Sequence, residues 1–201
     1  MPRVIGITGN IACGKTAVGQ MLLELGAERY IDADALVHRL YLQGQPVAVK
    51  VAETFGPGVV AADGSVDRRA LGTIVFQNTA AMRRLEAIVH PAVGQALLKE
   101  LDSASPSGIA IIDAVKLLEG GSGALCQSKW MIVCSEEQEL ARLMTRNSLS
   151  EEEARARIQA QSPAAARLPL VDEVIDNSGS LEETRRQVTA AFERFLRRFP
   201  A

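Results

Sequence analysis

Short β-branched runs alternate with helix-like stretches at the start of the chain. Residues 4–8 form an apolar run that ends in glycine, which is typical of a buried strand. Apolar positions at helical spacing follow over residues 17–25, and Gly26 ends that stretch. A second short strand is predicted over residues 29–31, followed by a helix over residues 33–42. This alternation predicts a parallel α/β sheet.

The middle of the chain is helical in period instead. Helices are predicted over residues 47–55, 68–76 and 80–101, with glycine-rich turns between the first two. Pro91 lies inside the longest helix, and we expect a kink or a split there because proline lacks a backbone donor. Residues 44–103 are therefore predicted to be a largely helical insertion that carries a second substrate or a moving part.

The second half returns to alternating strands and helices. Strands are predicted over residues 109–113, 130–134 and 173–175. Helices are predicted over residues 136–146, from Ser150 onward, and over residues 181–199. Ser135 and Ser150 are predicted to cap their helices, and Glu153 makes the second cap a capping box. The predicted core therefore comprises residues 1–43 and 104–201.

Composition and charge exclude several classes of protein. The chain has 201 residues, of which 47% are hydrophobic and 23% charged, with a net charge of −2. Such a composition excludes wholesale disorder and argues against a protein that coats nucleic acid or a membrane surface. We expect a cytoplasmic protein that binds neither nucleic acid nor membrane, because no signal peptide and no long apolar run is present. The chain has three cysteines and no CxxC pattern, and an odd number of cysteines is typical of a protein whose thiols stay reduced.

The segment GNIACGKT at residues 9–16 matches the phosphate-loop pattern G-x-x-x-x-G-K-[ST] at every fixed position. Its two glycines permit backbone torsions that let successive N–H groups face one anion. We expect Lys15 to reach the β- and γ-phosphates of a nucleotide and the Thr16 hydroxyl to ligate Mg²⁺. The predicted phosphate-loop contacts are Asn10, Ile11, Ala12, Cys13, Gly14, Lys15, Thr16 and Ala17. A glycine-rich turn with an incidental lysine is the alternative.

Cys13 allows two interpretations within that loop. At the amino end of a helix its thiol could have a lowered pKa and be open to oxidation. Otherwise it is simply a small residue that fills a loop position.

Acidic residues follow two of the predicted strands. Asp32 and Asp34 stand at the end of the second strand, where one carboxylate can organise Mg²⁺ and the other can accept a proton from an attacking hydroxyl. Asp32 also suits the cap of the next helix. Asp113 ends a later strand and is either a site acid or a turn former, and Glu119 is a weaker candidate.

Arginines punctuate a helical stretch near residues 139–168, which we predict to be a lid. Arg142 and Arg146 share one helix face, and a lid arginine can neutralise a transferring phosphoryl group. The alternative is a solvated face with ion pairs, in which Glu139 pairs with one of these two arginines. Given the phosphate loop, we favour Arg142 as a nucleotide contact and leave Arg155, Arg157 and Arg167 open. The two histidines, taken alone, favour structural roles.

Several blocks together resemble the dephospho-CoA kinase family. They occur in the family's order over nearly the whole chain, at residues 5–9, 14–16, 25–27, 31–34, 55–56, 63–68, 74–76, 85–91, 140–146, 157–161 and 174–179. The phosphate loop alone is shared by many proteins. The Asp-Ala-Asp block at 32–34, the Asp-Arg pair at 67–68 and the Leu-Glu…His-Pro block at 85–91 are together much more specific.

The resemblance implies a three-layer P-loop NTPase fold with a central parallel sheet, a helical acceptor-binding insertion and a helical lid. It implies transfer of the ATP γ-phosphoryl group to the ribose 3′-hydroxyl of dephospho-CoA, with Mg²⁺. Asp34 would be the base, with Lys15 and Arg142 also catalytic. Asn177 would lie near the nucleotide base. The implied acceptor-binding residues are Asp34, Asp67, Arg68 and His90, and the metal would be held by Thr16 and Asp32.

The chain also departs from the family's usual pattern. Lys116 stands in the stretch after the third strand where a small or apolar residue is expected, and Asn10 and Ala12 replace glycines that are common in the loop. Another nucleoside or nucleotide kinase, or a non-catalytic nucleotide switch, therefore stays open as an alternative. No guanine-binding Asn-Lys-x-Asp motif is present, which counts against a GTPase. We expect a monomer or a weak homo-oligomer.

Overall fold

The computed structural model describes residues 1–161 and 163–201. The strands are β1 (Arg3–Gly9), β2 (Arg29–Asp32), β3 (Ile109–Asp113), β4 (Ser128–Val133) and β5 (Glu173–Asp176). The helices are α1 (Lys15–Glu24), α2 (Ala33–Leu40), α3 (Pro46–Phe55), α4 (Arg68–Val75), α5 (Thr79–Leu101), α6 (Glu136–Asn147), α7 (Glu151–Gln159), α8 (Ala164–Arg167) and α9 (Leu181–Arg198). Single turns of 3₁₀ helix lie at Pro57–Val59, Ser122–Leu125 and Leu168–Leu170.

The strands form a central sheet in the order β2-β3-β1-β4-β5. Strand β1 pairs in parallel with β3 and with β4, and β4 pairs in parallel with β5. The chain therefore continues from β1 toward one edge of the sheet and later crosses to the other. The carboxyl end of β1 lies at this change of direction, where parallel α/β sheets bind their ligands. The predicted parallel α/β fold is confirmed.

One face of the sheet carries the main hydrophobic core. Helices α1 and α9 supply Val18, Leu22, Val188 and Phe192 to this core, and the strands supply side chains from alternate positions. Trp130 of β4 is fully buried in it, and its indole N–H donates to the Ser128 hydroxyl at 2.9 Å. Because β1 is covered on both faces, its residues from Val4 onward are all buried, which explains the unbroken apolar run in the sequence.

The chain divides into two compact units, Met1–Ile31 with Leu101–Ala201, and Asp32–Glu100. The second unit has its own core, built from Tyr41, Val47, Ala48, Val51, Val59, Val66, Leu71, Val75, Ala81 and Val89. The sequence prediction instead placed the changes of unit after residues 43 and 103. Helix α2 is thus grouped with the helical unit rather than with the sheet.

Helix α5 is continuous through Pro91, so of the predicted kink or split at that residue the split was wrong. Proline removes one backbone hydrogen bond and costs about 3 kcal/mol inside a helix. Val89 before it and Leu97 after it are both buried, whereas Pro91 is exposed. Packing on both sides of the proline therefore holds the helix together, since most helical stability comes from such packing.

The helix caps agree with the sequence prediction. The Ser150 hydroxyl accepts from the Glu153 N–H at 3.2 Å, and the Glu153 carboxylate accepts from the Ser150 N–H at 2.9 Å. Ser135 caps α6 as predicted, and Ser180 with Glu183 forms a second capping box at α9. Along the described part of the chain, the helices are each too short or too polar to cross a membrane.

Phe195 tests the contribution of α9 to the core. It is 3% exposed and stacks near Phe192, so Phe195→Ala should lower the free energy of unfolding by about 3–4 kcal/mol. Leu196, the next residue, is 38% exposed, and Leu196→Ala should cost less than about 1 kcal/mol. Urea denaturation of both variants measures the difference. Equal losses would mean that α9 is not held by this buried face.

Candidate active site

The phosphate loop leaves β1 at Gly9 and enters α1 at Lys15. Gly14 has a φ of 104°, in the region that favours glycine, and a Cβ added there would collide with the side-chain amide of Asn177. A Cβ on Gly9 would collide with the carbonyl oxygen of Ile132 in β4. Both fixed glycines of the motif are therefore required by close approach of neighbouring groups.

The amino end of α1 provides the donors of the loop. Gly14 caps this helix without a side-chain hydrogen bond, so its first N–H groups are not capped by a side chain. Such groups, together with the positive end of the helix dipole, bind phosphate. The half-buried Lys15 ammonium donates to the Gly9 carbonyl at 3.3 Å, across the mouth of the loop. The arrangement is suited to a chain of phosphates.

Arg142 and Asn177 both contact the loop through its carbonyl groups. The Arg142 guanidinium lies 3.4 Å from the carbonyl oxygens of Ala12 and Cys13 and 3.3 Å from that of Asn177. The Asn177 amide donates to the Cys13 carbonyl at 2.8 Å and accepts from the Thr184 hydroxyl at 2.9 Å. The structure therefore brings these two predicted residues to the loop, where they stabilise its backbone.

Glu139 of α6 is a buried acid beside the loop, 5% exposed. Burial and the nearby charge of Glu136 raise the pKa of its carboxyl group above the usual value. A hydrogen bond from the Asn10 side chain and the charges of Arg167 and Lys15 act in the opposite direction. The sequence analysis considered this residue only as an ion-pair partner of Arg142 or Arg146. Glu139 lies one helical turn before the fully buried Leu143, and this spacing was the available signal of its burial.

A cavity of about 170 Å³ lies next to Glu139 in this unit. The residues that line it come from the loop, the end of β4 and the helices that follow: Asn10, Ile132, Val133, Cys134, Glu136, Glu139, Ile158 and Ala164. The loop thus has open space on the side of the predicted lid.

Two further side chains from that side reach the start of the loop. The Gln161 side-chain carbonyl accepts from the Ile11 N–H at 2.8 Å. The Arg167 guanidinium, which is buried, donates to the side-chain oxygen of Asn10. Arg167 was left open in the sequence analysis, and Gln161 carried no assigned role there. Arg155, by contrast, pairs with Glu151 at 2.8 Å on an exposed surface, as the solvated-face alternative describes.

Cys13 is a buried packing residue of the loop. It is fully buried in the main core, and burial raises the pKa of its thiol to about 11, although Lys15 acts in the opposite direction. Its sulfur packs against Gly9, where an added Cβ would lie 2.6 Å away. The interpretation as a small residue filling a loop position therefore holds, and that of a lowered thiol pKa was wrong.

The acids at the strand ends differ in their surroundings. Asp32 is exposed and caps α2, its carboxylate accepting from the Ala35 N–H at 2.8 Å. Asp34 is exposed in the first turn of the same helix. Asp113 is buried at the end of β3 and accepts a hydrogen bond from the Tyr30 hydroxyl at 2.5 Å. That bond anchors Asp113 within the sheet unit.

The remaining predicted acceptor residues lie in the helical unit. Asp67 caps α4, accepting from the N–H groups of Arg69 and Ala70 at 2.9 and 3.0 Å. Arg68 is exposed at the start of α4, and His90 is exposed on α5. Asp67 therefore has a structural role of its own, while Arg68 and His90 present their side chains to solvent.

A parallel sheet with a phosphate loop at its change of direction defines an α/β protein of the P-loop kinase class. A sequence model described as dephospho-CoA kinase matches residues 3–183. The chain belongs to the dephospho-CoA kinase family.

Individual relatives and structures agree with this assignment. A dephospho-CoA kinase of Symbiobacterium thermophilum is 46% identical over 94% of this chain and 80% of its own, and one of Carboxydothermus hydrogenoformans is 40% identical over 96% and 94%. A crystal structure from Thermus thermophilus has a TM-score of 0.82 and 33% identity over 96% of this chain and 97% of its own. The dephospho-CoA kinase from Campylobacter jejuni has a TM-score of 0.64 and 27% identity over 97% and 98%.

The burial of Cys13 predicts a slow reaction with alkylating agents. With a pKa of about 11, roughly one thiol in three thousand is ionised at pH 7.5. We expect iodoacetamide to leave Cys13 unmodified in the folded protein and to modify it in urea, as followed by peptide mass spectrometry. Cys134, which is only half-buried, serves as the internal comparison. Labelling of Cys13 before Cys134 would contradict its placement.

Proposed function

We propose that the chain transfers the γ-phosphoryl group of ATP to the ribose 3′-hydroxyl of dephospho-CoA and so forms coenzyme A. The observation that carries this proposal is the complete phosphate loop, with its positive φ at Gly14, in a chain that belongs to the dephospho-CoA kinase family. Both substrates come from the family's activity. The assignment of individual residues below is our own.

The triphosphate of ATP would bind against the loop N–H groups and the amino end of α1. Lys15 would exchange its 3.3 Å bond to the Gly9 carbonyl for phosphate oxygens, which are stronger acceptors. Arg142, already beside the loop, would turn its guanidinium toward the phosphates. Positioning and electrostatic stabilisation supply most of the rate in such transfers, because the transferring group carries charge on three oxygens.

The donor set is compatible with Mg²⁺. The Thr16 hydroxyl and the Asp32 carboxylate are both exposed, and both are hard oxygen ligands of the kind that Mg²⁺ prefers. Mg²⁺ commonly takes one or two protein oxygens and completes its shell with water and phosphate oxygens, so two protein ligands suffice. Bound there, it would neutralise charge on the β- and γ-phosphates.

Asp34 would act as the base that accepts the proton of the attacking 3′-hydroxyl. Its carboxylate is exposed in the first turn of α2, just after the end of β2. The family resemblance assigns this role to Asp34, and Asp32 caps α2 through the Ala35 N–H. General-base assistance of this kind contributes about 10²–10⁴ to the rate.

The helical unit would bind dephospho-CoA. Its exposed Arg68 is a suitable partner for a phosphate of this substrate, and His90 is an exposed hydrogen-bonding group on α5. Asp67 would contribute mainly by capping α4 and so fixing the position of Arg68. The helices from α6 to α8 would form the lid over ATP.

The direct test is incubation of the purified protein with dephospho-CoA and Mg-ATP. A mass gain of about 80 Da on dephospho-CoA, the mass of one transferred phosphoryl group, would support the proposal. A panel of nucleosides, nucleotides and sugars, followed by ADP release, distinguishes it from a kinase with another acceptor. ATP binding without transfer to any acceptor would favour the nucleotide-switch alternative.

Gly14→Ala should abolish most ATP binding. The substitution adds a Cβ at a φ of 104° and in collision with the Asn177 amide. We expect ATP affinity to fall by about tenfold or more, as measured by calorimetry. Gly26→Ala is the matched control, since Gly26 has a φ of 111° but no atom within 4 Å of an added Cβ. Equal losses of ATP affinity in the two variants would mean that backbone strain at a positive φ, and not the position of Gly14 in the loop, causes the loss.

Asp34→Asn should separate binding from chemistry. The amide keeps the shape of the side chain but accepts a proton poorly, so turnover should fall about 100-fold or more. ATP binding should change little. Asp102→Asn, at an exposed acid in the turn after α5, is the control for loss of one charge. Near-normal turnover of Asp34→Asn would remove Asp34 from the role of base.

A further inference from the structure

The first turn of the phosphate loop does not itself satisfy the Ile11 N–H. The Cys13 N–H donates to the Asn10 carbonyl at 3.4 Å and so closes a turn, with Ala12 in the left-handed region at a φ of 61°. A turn of this kind uses only the N–H of its last residue. The Ile11 N–H therefore needs an acceptor elsewhere, because a half-buried backbone donor without a partner is costly.

Gln161 supplies that acceptor at 2.8 Å. It lies just beyond the end of α7, on the side of the loop that faces the cavity and the proposed lid. Its own N–H donates to the Ile158 carbonyl at 3.1 Å, which fixes the backbone from which the side chain extends. The contact joins positions 150 residues apart in the chain, so it depends on the tertiary structure.

A second attachment holds the neighbouring loop residue. The Asn10 side chain donates to the Glu139 carboxylate and accepts from the Arg167 guanidinium, both of which are buried. An amide is suited to this bridge because it carries a donor and an acceptor on one group. Asn10 and Ile11 are thus both held from outside the loop, while the carbonyls of Ala12 and Cys13 are held by Arg142.

We propose that Gln161 is a positioning residue for phosphoryl transfer, which holds the Ile11 N–H and thereby keeps the loop in the shape that receives the triphosphate. This inference rests on the proposed function for its reaction. Without the acceptor, the turn opens to find another partner for the Ile11 N–H, and ATP binding must restore the turn. The cost falls on ATP binding and leaves the chemical step and dephospho-CoA binding unchanged.

The direction of the change in ATP affinity distinguishes support of the loop by Gln161 from competition between Gln161 and ATP for the Ile11 N–H. If the Gln161 carbonyl occupied a donor that ATP itself needs, its removal would strengthen ATP binding. If it supports the loop, its removal weakens ATP binding. The sign of the change in affinity therefore decides between the two.

The test compares Gln161→Met with Gln159→Met. Methionine is similar in length to glutamine but is only a weak acceptor, and Gln159 is an exposed glutamine two residues earlier. Calorimetry with a non-hydrolysable ATP analogue should show about tenfold weaker binding for Gln161→Met and no change for Gln159→Met. In steady-state assays KM for ATP should rise by a similar factor, with kcat and KM for dephospho-CoA within about twofold.

Three results would overturn the proposal: unchanged ATP affinity, tighter ATP binding, or a fall in kcat at constant KM for ATP. Thermal denaturation of the ligand-free variants checks that the fold is retained, and Gln161→Ala replaces the methionine variant if that one does not fold. The calorimetric measurement of ATP binding does not require dephospho-CoA. An inactive wild-type protein would therefore contradict the proposed function while leaving the role of Gln161 testable.

Discussion

The phosphate loop depends on one constraint: a backbone that turns its N–H groups toward an anion must have its remaining polar groups satisfied by the protein. The carbonyls of Ala12 and Cys13 both accept from Arg142, and the Cys13 carbonyl also accepts from the Asn177 amide. The Ile11 N–H is met by Gln161. Without these partners this conformation of the loop would be less stable, because each unpaired buried backbone group costs about 1–3 kcal/mol.

This constraint gives Arg142 and Asn177 a structural task that exists before any nucleotide binds. Asn177 is buried at the end of β5, where its N–H donates to the Val133 carbonyl at 2.7 Å and its side chain joins the loop to Thr184 of α9. Gly14 must lack a side chain partly because Asn177 occupies that space. The fixed glycine of the motif and the distant asparagine therefore pack against each other, and a substitution at either position changes the space left for the other residue.

The sequence predicted what is decided locally. The loop motif, the strand β1 before it and the caps at Ser135 and Ser150 follow from neighbouring residues, and the structure has each of them. Side chains that reach the loop from distant positions in the chain could not be predicted in the same way. Gln161 and Arg167 lie in a polar stretch whose periodicity gives no sign of a buried contact, and their partners are about 150 residues away. The uninterrupted α5 likewise depends on buried neighbours of Pro91 that outweigh the local cost of proline.

Asn10 stands where the family commonly has glycine, and its contacts with Glu139 and Arg167 explain this difference. A glycine at this position would leave the buried Glu139 and Arg167 without the amide that joins them to the loop. Burying a carboxylate is costly unless hydrogen bonds and an opposite charge accompany it, and here Asn10, Arg167 and Lys15 supply both. Glu139 and Asn10 are therefore coupled: a chain that buries an acid beside its phosphate loop needs a donor in the loop to satisfy it.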